Sequence, residues 1–190
     1  MAAVRDQEAS SSTSRWTYHV FLSFRGEDTR KSFTDHLYTA LAGAGFRTFR
    51  DDDEIERGEN IKSELEKAIK QSRNSIIVLS KDYTSSGWCL DELVMILEHR
   101  RTSGHGVIPV FYDVDLSHVR KQRGNLAEAF ARHEERFKVE TDERKKEWMD
   151  KVNGWRAALR EVADLGGMVL QNQADGAQKQ LKALSLTCIC

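Results

Sequence analysis

The stretch SIIVLS at residues 75–80 decides the fold class of this chain. It is a continuous apolar run of strand length, which suits a strand buried on both faces of a parallel sheet. Short β-rich runs also occur at residues 18–24, 46–49 and 107–112. Pro109, the only proline in the chain, indicates that the last of these strands lies near a sheet edge.

Helical patterns separate these strands. Apolar residues recur at helical spacing on three segments: Phe33, Leu37 and Leu41; Ile61, Leu65, Ala68 and Ile69; Leu90, Leu93, Val94 and Leu97. Two further helical patterns run from Leu126 to Val139 and from Asp142 to Val162. Strand and helix alternate at least four times, which predicts an open α/β sheet with helices on both faces.

Length and composition predict one domain with polar ends. The chain has 190 residues, of which 39% are hydrophobic and 31% charged, as in a globular protein. Residues 1–15 are rich in small polar side chains and are predicted to be a disordered tail. The domain is predicted to span residues 16–167, and residues 168–190 to be a tail or the start of a linker.

Charge and targeting signals narrow the class of protein. A net charge of −1 argues against a dedicated nucleic-acid binder. The chain has no apolar run of about 20 residues and no signal-peptide core, so we predict an intracellular protein that does not enter membranes. Cys89, Cys188 and Cys190 provide neither a disulfide framework nor a zinc-ligand set, although the last two are open to metal binding or lipidation.

The usual enzyme motifs are absent: the sequence contains no GxGxxG, P-loop, HExxH or GxSxG. In an open α/β sheet the default ligand site is the crevice at the carboxyl ends of the strands. Connectivity places three segments there, at residues 25–30, 50–58 and 81–88. We therefore expect any chemistry in these three segments and in the helix that follows the last of them.

Glu92 and Trp88 are the two residues of that helix that could form a binding site. Glu92 falls about 150° from the apolar face, and periodicity alone therefore favours a solvated carboxylate. Trp88 lies four residues earlier, so both side chains are expected to project from one face. An aromatic wall beside a carboxylate could bind a base or another planar ring.

The other candidate functional residues could equally have an ordinary structural role. Arg25 and Arg30 could bind phosphates, but local ion pairs with Glu27 and Asp28 are the more common arrangement. The acidic stretch at residues 51–56 is more typical of a solvated turn than of a metal site. His36 could be a helix contact with another copy, and Gly154 could mark the close approach of a helix from the same or another molecule.

Four motifs in order identify a family resemblance. They are YHVFLSFRGEDTR at residues 18–30, SGWCLDEL at residues 86–93, VIPVFYDVD at residues 107–115 and WRAAL at residues 155–159. Together they resemble the TIR (Toll/interleukin-receptor) domains of intracellular plant disease-resistance receptors. The resemblance implies a flavodoxin-like, three-layer α/β/α fold with five parallel strands.

The resemblance also implies an activity, cleavage of NAD⁺ or NADP⁺ at the nicotinamide–ribose bond, with products that signal immunity and cell death. It implies that Glu92 is the catalytic residue, and that no metal or resident cofactor takes part. The residues that it implies for substrate binding are Arg25, Gly26, Glu27, Asp28, Thr29, Arg30, Arg57, Gly58 and Trp88.

The resemblance further implies activation by self-association through two TIR–TIR surfaces. One surface would include Asp35 and His36, where the family often has a Ser-His pair, and the other would include Gly154. Other TIR domains are the implied partners, in the cytoplasm and, as a second compartment, the nucleus. A non-catalytic assembly module is the alternative function, and chemistry on nucleic acid is a weaker third.

Overall fold

The computed structural model describes residues 16–50, 61–136 and 141–171. Across these residues the chain forms one sheet of five strands. The strands are β1 (Tyr18–Phe24), β2 (Thr48–Arg50), β3 (Ser72–Leu79), β4 (Gly106–Tyr112) and β5 (Met168–Leu170).

The described helices connect these strands in the alternating order that the sequence predicts. They are α1 (Gly26–Thr29), α2 (Phe33–Gly43), α3 (Ile61–Lys70), α4 (Gly87–Ser103), α5 (Leu116–Lys121), α6 (Asn125–Glu135) and α7 (Asp142–Asp164). A short 3₁₀ turn, Tyr83–Ser85, precedes α4. None of these helices is long and apolar enough to cross a bilayer.

The strand order is β2-β1-β3-β4-β5, and all neighbours pair in parallel. This is the flavodoxin-like order, in which the chain builds outward from β1 and β3 in opposite directions. The predicted fold class is therefore confirmed. The strand with Pro109 is second from the edge, and its pairing with β5 begins only at Val110.

The buried strand β3 explains why the apolar run at residues 75–80 predicts the fold. Ile76 and Val78 pack into one hydrophobic core, and Ile77 and Leu79 into another on the opposite face. Helix α2 covers the first face, and α3, α4 and α7 cover the second. Three layers result, because a strand without a polar face needs helices on both sides.

The predicted domain boundary at residue 167 falls one residue before the last strand. Met168–Leu170 pairs with β4 and so belongs to the sheet. Gly167 makes this pairing possible, because a Cβ there would overlap the carbonyl oxygen of Pro109. A strand of three residues is too short for a hydrophobic pattern to reveal, which is why the sequence reading missed it.

Several predictions concern residues outside the described part of the chain. These are the tail at residues 1–15, the acidic stretch at 51–56 with Arg57 and Gly58, the predicted helix end at Val139, and most of 168–190 with Cys188 and Cys190.

The short helices α1 and α5 are elements that hydrophobic spacing does not indicate.

Candidate functional site at the strand switch point

The candidate site lies where the chain leaves β1 and β3 in different directions. After β1 the chain runs through α1 to α2 on one face of the sheet, whereas after β3 it runs to α4 on the other face. These two strands are neighbours. Their carboxyl ends therefore border a crevice, which is the usual ligand position in this topology.

Local contacts fix the start of α4 at this crevice. Ser86 caps the helix, since its side chain accepts a hydrogen bond from the backbone N–H of Cys89. The indole N–H of Trp155 and the ammonium of Lys151, both on α7, bind the carboxylate of Asp91 at 2.9 and 2.8 Å. These contacts from α7 thus fix the position of the first two turns of α4.

Glu92 is buried at the end of the sheet, with 4% of its surface exposed. The expectation of a solvated carboxylate is therefore wrong. Helical periodicity places Glu92 away from the sheet-facing residues, but the end of β1 and the turn at Tyr83 cover that side as well. Ser23, on β1, donates a hydrogen bond to Oε2 of Glu92 at 2.8 Å.

Tyr83 completes the polar group under α4. Its Oη donates to the carbonyl oxygen of Cys89 at 2.9 Å and lies 2.9 Å from Oγ of Ser23. Full burial, followed by the charges of Cys89 and Glu92, raises the pKa of Tyr83 well above its usual value. Sequence reasoning missed Ser23 and Tyr83, although a serine inside the apolar strand β1 is a usable signal.

Trp88 and Glu92 do not share an environment, contrary to the expectation from their spacing. Trp88 is 56% exposed, whereas Glu92 is buried. Trp88 lies in the first turn of α4, next to the exposed end of the helix, and Glu92 lies one turn further in. The indole is therefore exposed at the surface, and it lies one turn of α4 before the buried carboxyl group in the sequence.

The segment that follows β1 contains local ion pairs. Arg25 pairs with both Glu27 and Asp28, which are the local ion pairs that the sequence offers as the alternative to phosphate binding. Asp28 also accepts hydrogen bonds from the Ser80 hydroxyl and from the backbone N–H of Asp82. Through Asp28 the ends of β1 and β3 are joined at the edge of the crevice.

The remaining predicted residues of this segment have structural contacts of their own. Thr29 is buried, and its hydroxyl lies 2.7 Å from that of Thr34. The Arg30 guanidinium lies 5.9 Å from the centre of the Phe24 ring and packs over Gly26, where a Cβ would lie 2.6 Å from Nη2 of Arg30. Gly26 therefore leaves room for this side chain.

The residues predicted for self-association lie on two exposed helix surfaces. Asp35 and His36 are exposed on α2, and Asp35 forms an ion pair with Arg50 at 3.1 Å. Gly154 is exposed on α7, and a Cβ there would meet no described atom within 4 Å. Within the described residues, no helix of the same molecule packs against the Cβ position of Gly154.

The donor set of the described residues is not that of a metal centre, since no group of three or more His, Cys, Asp or Glu side chains is positioned to hold an ion. The features of the site are a buried carboxyl group, two buried hydroxyl groups and an exposed indole. They lie at the switch point of a flavodoxin-like sheet, the class of fold in which nucleotides bind at this position.

Residues 17–182 match the TIR domain family, and the chain belongs to that family. It is 54% identical over 173 residues to disease resistance protein RPV1 of Vitis rotundifolia, with 88% of this chain covered. It is 50% identical over 159 residues to TMV resistance protein N of Nicotiana glutinosa, with 84% covered. The chain spans 12% and 13%, respectively, of the length of these two relatives.

A solved structure is similar over nearly the whole chain. It contains the TIR domains of the activated Roq1 resistosome that directly recognizes the pathogen effector XopQ. The identity is 48% and the TM-score 0.78, covering 92% of this chain and all of that one. The resemblance to plant disease-resistance TIR domains is therefore confirmed.

Proposed function

We propose that this TIR domain cleaves the nicotinamide–ribose bond of NAD⁺ or NADP⁺, with Glu92 as the catalytic residue. The observation that supports this function best is the burial of Glu92 at the strand switch point, one turn of α4 after the exposed Trp88. A carboxyl group is rarely buried in a protein core without a specific role. Its position is also the one at which this topology binds nucleotides.

Cleavage of the glycosidic bond sends the bonding electron pair to the pyridinium nitrogen. Nicotinamide therefore leaves as a neutral molecule, and the positive charge develops on the ribose. A carboxylate at Glu92 stabilises that charge and orients the ribose hydroxyls. Water then adds to the ribose carbon and releases one proton, which balances the reaction as a hydrolysis.

The other residues of the crevice have binding roles in this proposal. Trp88 offers an aromatic surface for a planar ring. Arg25 and Arg30 supply positive charge for the pyrophosphate, together with the backbone of residues 26–29. Arg57 and Gly58 belong to the same proposed set, on the strength of the family resemblance.

We also propose that self-association activates the domain. The surfaces are those with Asp35 and His36 on α2 and with Gly154 on α7, both exposed. A site that is completed only in an assembly has an activity that rises steeply with protein concentration. In a plant cell, the products would signal defence and cell death from the cytoplasm and nucleus.

A non-catalytic assembly module is the second candidate function, and the exposed surface of Gly154 favours it, because an exposed helical glycine with open space above it admits a close partner helix. In that case homotypic contacts alone would transmit the signal. The carboxyl group of Glu92 would then have only a structural role.

Nicotinamide release at high protein concentration separates the two functions. The comparison is between the wild-type chain, Glu92→Gln and the matched control Glu98→Gln, which alters an exposed carboxylate on the same helix. We expect Glu92→Gln to lose about 100-fold or more of the activity, in the range of removing a charge-stabilising group, and Glu98→Gln to retain it. Self-association without nicotinamide release in the wild-type chain would instead support the assembly module.

A further inference from the structure

Arg25 continues the row of β1 side chains that faces α4. Ser23, two residues earlier, donates its hydrogen bond to Glu92 of that helix. The backbone of Arg25 is still extended, with φ −88° and ψ 113°. Because side chains two residues apart in an extended chain point to the same face, Arg25 lies on the same side as Ser23. Its guanidinium is therefore placed at the edge of the candidate site.

Two carboxylates bind the guanidinium of Arg25 through different nitrogens. Nη1 donates to Asp28, and Nη2 donates to Glu27. Burial alone would lower the pKa of Arg25, but the hydrogen bond to Asp28 and the charges of nearby carboxylates raise it above its usual value. Those carboxylates are Asp28, Glu27 and Asp82. The positive charge that the crevice has at Arg25 is therefore already balanced by acidic neighbours.

The two carboxylates differ in how firmly the fold holds them. The side chain of Asp28 is 15% exposed, and it also accepts hydrogen bonds from the Ser80 hydroxyl and the Asp82 backbone. The side chain of Glu27 is 79% exposed, and within the part of the chain that the structure describes it binds Arg25 alone. An exposed ion pair of this kind contributes little to stability. Glu27 can therefore leave Arg25 without disturbing the link between β1 and β3.

We propose that Glu27 is a specificity-determining residue that occupies Nη2 of Arg25 until a phosphate group of the substrate replaces it. This inference rests on the proposed function. Asp28 stays on Nη1, so the guanidinium keeps its position during the exchange. A pyrophosphate carries more negative charge than one carboxylate and therefore wins the exchange. The gain in affinity from the phosphates is the difference between two ion pairs, and a nicotinamide riboside without phosphate does not take part in it.

Three substitutions separate this exchange from a general effect of charge. Glu27→Ala removes the competing carboxylate and opens Nη2 of Arg25. Asp82→Asn removes a charge that also acts on Arg25. Residue 82 contacts Asp28 through its backbone, so this substitution opens no nitrogen of the guanidinium. Glu98→Ala is the matched control, since it removes an exposed carboxylate towards the carboxyl end of α4.

The experiment is an NMR titration of the full chain with inorganic pyrophosphate at low ionic strength, where ion pairs are little screened. The Nε–H resonance of Arg25 and the backbone amides of residues 26–30 report binding. We expect Glu27→Ala to tighten pyrophosphate binding at least about threefold, within the range that exposed ion pairs contribute. Asp82→Asn should tighten it less, and Glu98→Ala should leave it unchanged.

A double-mutant comparison tests whether the effect acts through Arg25. In an Arg25→Gln background, Glu27→Ala should no longer tighten binding by more than Asp82→Asn does. Glu27→Gln, which keeps the length of the side chain, should act in the same direction as Glu27→Ala. Equal affinities in wild type and both Glu27 variants would overturn the proposal. An effect of the same size in Asp82→Asn as in Glu27→Ala would also overturn it.

Nicotinamide release, measured on the same preparations, keeps this inference separate from the proposed function. We expect Glu27→Ala to raise kcat/KM for NAD⁺ by about the same factor and to leave kcat/KM for nicotinamide riboside unchanged. Tighter pyrophosphate binding without nicotinamide release would support the role of Glu27 and overturn the hydrolase function. Nicotinamide release with unchanged pyrophosphate binding would overturn the role of Glu27 alone.

Discussion

The two ends of the central strand β3 present similar polar groups with different properties. At the carboxyl end, a serine of β1 contacts the buried Glu92 of α4. Towards the amino end, Ser75 of β3 lies 2.7 Å from Nε2 of His105, whose side chain is 4% exposed and whose Nδ1 has no hydrogen-bond partner among the described residues. Both are buried pairs of a hydroxyl and a titratable group.

Their surroundings differ, and this difference separates a candidate site from a structural contact. Burial, followed by the nearby charge of His99, lowers the pKa of His105 to about 4. The imidazole is therefore neutral near neutral pH and lies at the end of the sheet away from the usual ligand crevice. Glu92 instead lies at the switch point, with the exposed Trp88 one turn away. Location in the topology, more than residue type, therefore distinguishes these two buried pairs.

The contrast between the His105 pair and the Glu92 pair can be tested by three expected effects. The largest is a loss of stability in acid. The unfolded chain binds a proton at His105 near pH 6.5, whereas the folded chain does so only near pH 4. The free energy of unfolding should therefore fall as pH drops through this window, by about 3 kcal/mol in total. Urea titrations of wild type and His105→Gln at pH 7, 5.5 and 4.5 give the free energy of unfolding at each pH. The contribution of His105 is the difference between the two proteins in how this free energy changes with pH.

The matched control is His36→Gln, which alters an exposed histidine and should keep the wild-type pH dependence. Parallel pH profiles for wild type and His105→Gln would show that His105 can take up a proton without cost. His105 would then be a group that can be protonated in the folded domain, and it could no longer be described as a purely structural contact.

A smaller effect is expected from Ser75→Ala at neutral pH. The substitution removes the hydrogen bond to Nε2 of His105 and leaves a second buried ring nitrogen unpaired. We expect a loss of about 2 kcal/mol in the free energy of unfolding, with nicotinamide release per folded molecule unchanged. Chemical denaturation measures the first quantity, and Ser63→Ala, at an exposed serine of α3, is the control. A loss of nicotinamide release without a loss of stability would show that the amino end of β3 contributes to the proposed activity.

The smallest effect concerns the neighbour of His105. The rings of His99 and His105 lie 5.0 Å apart, and the charge of His99 contributes to the lowered pKa of His105. His99→Gln should raise that pKa, so the loss of stability in acid should become shallower by less than about 1 kcal/mol. Histidine C2 proton NMR reports the titration directly. An unchanged midpoint would assign the whole shift to burial.

The sheet and its main helices could be predicted from the sequence because burial on both faces leaves a continuous apolar run, as in residues 75–80. The burial of Glu92 could not be predicted in this way. Helical periodicity describes one face of one helix, and the groups that cover Glu92 belong to β1 and to the turn at Tyr83. Ser75 and His105 are likewise 30 residues apart, and only the pairing of β3 with β4 brings them together.

The position of β1 as an internal strand of the sheet has a consequence for the synthesis of the protein. Both of its neighbours, β2 and β3, follow it in the chain, so it leaves the ribosome with two open edges. Val20, Phe21 and Leu22 are fully buried in the finished domain, but only β2 can pair with them until residues 72–79 have been translated. An apolar strand with an open edge is prone to aggregation, so we expect the nascent chain to be most prone to aggregation before β3 has been translated.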